Sequence, residues 1–128
     1  KQTDHPRKCS QVLNLNACGR YAKVINNHFY NHRVRGILMR GPDSLIKGNR
    51  IERFGTPSYY GRGRVGDAIS ADHTTGLVIE DNIIGPPSKD ILNPDLPYVE
   101  VDNSDNATVG NNKIIPASKK NWFQDKSK

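Results

Sequence analysis

Ile79-Glu80-Asp81-Asn82-Ile83-Ile84 is one of four copies of a short phrase in this 128-residue chain. The others are Val24-Ile25-Asn26-Asn27-His28-Phe29, Ile46-Lys47-Gly48-Asn49-Arg50-Ile51 and Val109-Gly110-Asn111-Asn112-Lys113-Ile114. In each copy an aliphatic residue is followed three positions later by asparagine, and two beyond that by an apolar residue. The copies begin 22, 33 and 30 residues apart. Self-similarity at such intervals marks a repeat architecture in which one unit cannot bury its apolar face alone and stacked units can.

Upstream of each phrase lies a short segment with apolar residues at alternate positions: Leu13 and Leu15, Ile37 and Met39, Ile69 and Ala71, Val99 and Val101. Period-two alternation is the signature of a strand with one buried face. Each unit therefore reads strand, turn, strand, asparagine, strand. Coiled as rungs of a right-handed parallel β-helix, about four such units bring Asn27, Asn49, Asn82 and Asn112 one above another at the same bend, where their amides can bond along the stack as a ladder. Asparagine also tolerates the left-handed backbone that a sharp bend requires. The expected fold class is thus all-β, with residues 12–115 as rungs, 1–11 as a lead-in and 116–128 as a C-terminal cap or tail.

At this point the chain resembles the right-handed parallel β-helix repeat proteins over about residues 12 to 115. That resemblance implies the fold and leaves function open, since pectin-degrading enzymes, lyases, epimerases, tailspikes and adhesins share it. Four rungs at a strand spacing of ~4.8 Å form a stack only about 20 Å tall. The lead-in holds no amphipathic capping helix, so the segment is expected to be the C-terminal part of a longer solenoid, with further N-terminal rungs of the same protein as its neighbours. At the other end Pro116 interrupts the last strand, and Trp122-Phe123 are expected either to lid the final rung or to lie in a disordered tail that binds elsewhere.

The chain is long enough for one domain with a core. Its net charge of +6, from 19 basic and 13 acidic residues, suits an acidic or sulfated polysaccharide as well as plain solubility. No recognition helix, aromatic stacking motif or zinc spacing accompanies the charge, which argues against nucleic acid as partner. No stretch resembles a transmembrane helix, so a membrane is not expected as partner, and no metal-ligand spacing or cofactor motif is present. Cys9 and Cys18 flank the first strand and can pair in an oxidising compartment, or Cys18 is a small buried residue. Asn106-Ala107-Thr108 fits a glycosylation sequon.

Two connections are long and rich in glycine and proline: residues 55–66, GTPSYYGRGRVG, and residues 85–97, GPPSKDILNPDLP. Both leave the third strand of a rung and enter the first strand of the next, so they wall the outer face of the first-strand sheet. Tyr59 and Tyr60 can present rings for sugar stacking, and Arg62 and Arg64 can contact carboxylates, sulfates or hydroxyls. On that outer face the inward positions leave two external columns. One runs Asn14, Leu38, Ser70, Glu100 and the other Asn16, Arg40, Asp72, Asp102.

Asp72 and Asp102 are then neighbouring carboxylates, with Arg40 beyond Asp72 and Glu100 diagonal to it. Glycoside hydrolysis needs two carboxylates ~5 to 9.5 Å apart, and either pairing is within reach. Like charges at this distance are expected to favour one protonated carboxyl while Arg40 keeps its neighbour ionised. Asp72 is the expected base or nucleophile, and Asp102 or Glu100 the expected acid. Asp67 and His73 are secondary candidates; His73 can orient a hydroxyl or shuttle a proton. The same charges equally describe a solvated ladder of opposite signs. His5, His28 and His32 show no partner pattern and are expected at the surface.

The stretch Arg33-Val34-Arg35-Gly36-Ile37-Leu38-Met39-Arg40-Gly41, followed by Leu45 to Phe54, resembles the repeats of β-helical glycoside hydrolases related to the α-1,3-galactosidases of family 110. There an "RGIL" strand precedes an asparagine-turn strand, and an "AI" strand, here Ala68-Ile69, borders the active site. The acidic run after that strand is reduced here to Asp72-His73. The resemblance implies exo-acting hydrolysis of a galactose-containing glycan by a secreted or periplasmic enzyme. The competing expectations are a polysaccharide lyase or epimerase on uronic acids, with Arg40, Arg62 or Arg64 neutralising the substrate carboxylate, and a non-catalytic glycan-binding or tailspike-like β-helix.

Overall fold

The computed structural model describes residues 19–32, 35–55, 67–89, 91 and 97–116, and the backbone of 123–126. Cys9, Leu13, Leu15, Cys18, Tyr59, Tyr60, Arg62, Arg64 and Trp122 lie outside the described residues. Within them every regular element is a strand, and all strand pairing is parallel. The chain is all-β, with an arrangement compatible with a parallel β-helix.

The strands are β1 Lys23–Ile25, β2 His28–Tyr30, β3 Ile37–Met39, β4 Leu45–Lys47, β5 Arg50–Glu52, β6 Ile69–Asp72, β7 Val78–Glu80, β8 Ile83–Ile84, β9 Val99–Asp102, β10 Thr108–Gly110, β11 Lys113–Ile114 and β12 Phe123–Lys126. They form three four-stranded sheets, ordered β1-β4-β7-β10, β2-β5-β8-β11 and β3-β6-β9-β12. Each strand from β1 to β9 thus pairs with the one three later in sequence. In the segment 116–128, β12 runs as a strand beside β9, with Phe123 opposite Val99 and Lys126 opposite Asp102.

The recurring phrase sets the register. Its first residue lies on the first sheet, where Val24, Ile46, Ile79 and Val109 are aligned; its last lies on the second, where Phe29, Ile51, Ile84 and Ile114 are aligned. The middle members Ile46, Ile51, Ile79 and Ile84 are fully buried, and the outer ones pack against them. Ile37, Met39, Ile69, Ala71, Val99 and Val101 of the third sheet complete the same core, as their alternation requires. Fully burying an aliphatic side chain of this size stabilises by roughly 1.5–3 kcal/mol, so the three inward columns carry the fold. Phe54 and Tyr98 close one corner with rings edge-on at 5.0 Å.

The bend between the first and second sheets carries a continuous row of asparagine contacts. Asn27 N–H donates to Asn49 Oδ1 at 2.9 Å, Asn49 N–H to Asn82 Oδ1 at 2.9 Å and Asn82 N–H to Asn112 Oδ1 at 3.0 Å. The amide nitrogens repeat the step: Asn49 Nδ2 reaches Asn82 Oδ1 at 3.0 Å and Asn82 Nδ2 reaches Asn112 Oδ1 at 2.9 Å. The left-handed backbone, however, belongs to the residue before each of these asparagines, namely Asn26, Gly48, Asp81 and Asn111, with φ of 56°, 68°, 57° and 55°. The row asparagine is selected for its amide, and its predecessor for tolerance of positive φ.

Candidate functional site

The third sheet turns Ile69 and Ala71 inward, so Ser70 and Asp72 face out, and the register extends this across the strands. Leu38, Ser70 and Glu100 align as one outer column, and Asp72 lies opposite Asp102 in the next. Leu38 is exposed, whereas Ser70 is buried and Glu100 is only 2 % exposed. Outward direction does not make this face open to water. Both columns line one recess of about 160 Å³, which also takes in Arg35 and Arg40.

Asp72 is the hub of the recess. Its Oδ1 lies 2.6 Å from His73 Nδ1, and its Oδ2 lies 3.7 Å from Arg40 Nη2. The Asp72 and Arg40 side chains are both partly exposed, so a solute can reach the pair. His73 has a left-handed backbone and donates its N–H to Asp102 O at 3.2 Å, which ties the corner of one repeat to the next. The His73 side chain lines a second recess of about 350 Å³ with Arg20, Thr75, Asn103 and Asp105. Asp72 and His73 therefore join two adjoining recesses through one short bond.

Of the residues expected to act together, Asp72, Asp102, Glu100 and Arg40 share the first recess, and His73 touches it through Asp72. The proposed walls at Tyr59, Tyr60, Arg62 and Arg64 are outside the described residues. Asp67 is fully buried and pairs with Arg35, whose Nε lies 3.4 Å from Asp67 Oδ2. Arg35 and Asp67 each stand two residues before aligned positions, Ile37 and Ile69. Carrying the columns two residues upstream is the sequence signal that would have found this pair.

Two further features went unread in the sequence. At the corner between the third and first sheets, Thr74 N–H donates to Ser104 Oγ at 3.2 Å, Thr74 Oγ1 donates to Gly41 O at 2.9 Å and Ser104 Oγ donates to Asp102 O at 2.8 Å. These buried hydroxyls fix the turns that present His73 and Asn103; their signal is a hydroxyl residue two positions after each column aspartate. On the second sheet, His28 lies at the surface as expected but has a partner, its Nε2 standing 2.8 Å from Glu52 Oε2. The same oxygen receives Arg50 Nε at 2.6 Å. The Arg50 hydrogen bond, and after it the one to His28, hold the Glu52 carboxyl below its ordinary pKa.

Among the described residues no group of three or more His, Cys, Asp or Glu side chains is arranged to hold a metal ion. No described helix is long and apolar enough to cross a membrane. In comparison with known proteins, the chain matches no family model, no curated protein and no solved structure.

Proposed function

We propose that the chain is a right-handed parallel β-helix of about four rungs with an asparagine ladder, and that it acts as a glycoside hydrolase on a polysaccharide or oligosaccharide. The fold reading is supported by three parallel sheets in which successive neighbours are three elements apart in sequence. Parallel connections of this kind are right-handed in about 98 % of cases because a right-twisted strand packs back onto its sheet only that way. The asparagine contacts at one bend add a second support.

The functional reading rests on one observation: Asp72, gripped by Arg40 and His73, shares a recess with the water-poor Glu100 and with Asp102. Asp72, as a carboxylate beside Arg40, serves as nucleophile at the anomeric carbon or as base toward water. Glu100, in the same recess, protonates the glycosidic oxygen, with Asp102 as the other candidate for that proton. His73 orients Asp72 and reaches the adjoining recess, where the next sugar lies. Tyr59, Tyr60, Arg62 and Arg64, outside the described residues, have the rings and cations that suit a sugar ligand. A galactose-containing glycan is the first substrate to try, in a secreted or periplasmic setting.

One observation favours a second reading. Both Asp72 oxygens already have partners, as in a self-contained ion cluster on a non-catalytic glycan-binding β-helix. A lyase or epimerase on uronic acids would instead use Arg40 to neutralise the substrate carboxylate. The test is release of reducing sugar and of unsaturated product from neutral, uronic and sulfated glycans by the protein and its Asp72→Asn and Glu100→Gln variants. Reducing ends without ultraviolet absorbance, lost in both variants, is the hydrolase result. Unsaturated product means elimination, and glycan binding without product means a recognition module.

A further inference from the structure

The second-to-third sheet corner carries a recess of about 680 Å³, lined by Asn31, Arg53, Pro86, Pro87, Lys89 and Ile91 among others. A recess of this size holds one or two sugar rings. Its residues come from three successive repeats. Tyr30 is aligned with Glu52, so Asn31 and Arg53 occupy the same corner position, and Arg53 N–H donates to Pro86 O at 2.8 Å in the repeat that follows. Ser88 N–H donates to Phe54 O at 2.9 Å and so pins the start of the 85–97 connection against this corner.

One property shared by Arg53 and Lys89 and one of Arg53 alone mark this recess. Most of the described cations are spent internally: Arg20 on Asp43, Arg35 on Asp67, Arg40 on Asp72, Lys47 on Glu80 and Arg50 on Glu52. Arg53 and Lys89, by contrast, have no ion pair or side-chain hydrogen bond among the described residues, yet both face the same recess. In addition, Arg53 holds a left-handed backbone with φ of 52°. The matched corner position in the preceding repeat is Asn31, with φ of 59°. Asparagine or glycine is the low-strain residue there, so a long cation at this corner carries a conformational cost that the fold does not require.

We infer that this corner is a binding site for an acidic sugar, with Arg53 and Lys89 holding its sulfate or carboxylate, Asn31 bonding a hydroxyl, and Pro86, Pro87 and Ile91 receiving the apolar ring face. A charged group beside two cations that have no ion pair among the described residues gains charge-assisted hydrogen bonds that a neutral sugar does not. The site is separate from Asp72 and does not depend on hydrolysis.

The experiment is calorimetric titration, at physiological ionic strength, with a sulfated galactan tetrasaccharide, a galacturonate tetrasaccharide and a neutral galactan tetrasaccharide. The variant is Arg53→Asn with Lys89→Ala, the asparagine being chosen to keep the backbone comfortable. Its control is Lys23→Ala with Lys113→Ala, which removes the same charge away from the recess. Thermal melts confirm that both variants fold. The expected result is that at least one acidic probe binds more tightly than the neutral one. The recess variant weakens it about tenfold or more, while the control stays near the parent. Which acidic probe binds identifies sulfate or carboxylate as the anchor. Equal weakening in the two variants means a general cationic field and overturns the site, as does the absence of any preference for the acidic probes.

Discussion

Replacing Asn82 with alanine is the sharpest probe of the row of asparagines. The side chain is 1 % exposed, so water cannot take over its bonds. Its Oδ1 accepts from Asn49 N–H at 2.9 Å and Asn49 Nδ2 at 3.0 Å, and its Nδ2 donates to Ile46 O at 3.0 Å and Asn112 Oδ1 at 2.9 Å. After truncation Asn49 Nδ2 keeps Val24 O, and Asn112 Oδ1 keeps the Asn82 N–H. The Asn49 N–H and the Ile46 carbonyl lose this partner while buried. Ile46 lies in β4 between its ladder neighbours Val24 and Ile79, so the Asn49 N–H is the group left bare, at a cost of about 1–3 kcal/mol. That is a large share of the ~5–15 kcal/mol that holds a domain together. Asn27, at the exposed end of the row, donates to Ile25 O and Asn49 Oδ1, where solvent can substitute. Its alanine variant is expected to lose less than about 1 kcal/mol. Urea unfolding followed by circular dichroism compares the two through midpoint and slope. Equal losses at Asn27 and Asn82, or a loss below about 1 kcal/mol at Asn82, would refute burial of the amide row as the source of its stability.

Other consequences are equally open to measurement. Because the folded-state pKa of Glu52 is depressed, its bonds to Arg50 and His28 stabilise the protein above the unfolded carboxylate value of about 4.3. That contribution disappears as pH falls through the lower folded value, and in Glu52→Gln the acid limb of the stability curve should flatten. Arg50→Gln should move the Glu52 titration upward in carboxyl-resolved NMR. At Gly48, with φ of 68°, an added Cβ would collide with the Asn26 side-chain oxygen, so Gly48→Ala should cost about 1–2 kcal/mol or more in urea melts. Gly110 has open space at that position, and Gly110→Ala should fall within about 0.5 kcal/mol of the parent or stabilise it. Asp72→Asn should abolish hydrolysis and leave the melting temperature nearly unchanged, since the carboxylate is partly solvated and its ion pairs are of the weak surface kind.

The repeat was legible because two periodicities, two along each strand and one asparagine per repeat, must be satisfied together. Val24, Ile46, Ile79 and Val109 could be aligned by eye, and the strand register follows that alignment. The left-handed residue falls one position before the row asparagine, and Asn26, Gly48, Asp81 and Asn111 carry the composition such a position selects. The His28–Glu52 contact joins positions two residues apart in register, since His28 faces Arg50 and Tyr30 faces Glu52. Such a diagonal pair emerges only when exact strand offsets are known. The burial of Ser70 and Glu100 had no local signal, because alternation reports the face a side chain takes and not what covers that face.

Charge pairing alone does not single out Asp72 as functional, since the outer faces of all three sheets use it. Lys47 lies 3.0 Å from Glu80 on the first sheet, Arg50 lies 2.6 Å from Glu52 on the second and Arg40 lies 3.7 Å from Asp72 on the third. What differs is the dielectric setting. The Glu80 and Glu52 side chains retain 32 % and 17 % of their exposure, whereas Glu100, on the third sheet beside Asp72, is 2 % exposed. On the first two sheets an acid and a base cancel in water, which steadies the surface and offers a substrate little. On the third sheet one carboxylate reaches solvent while a second is withheld from it a strand away, and two acids in unlike environments are what general acid-base chemistry requires. The connections at residues 55–66 and 85–97 each lead in sequence from the second sheet into this one.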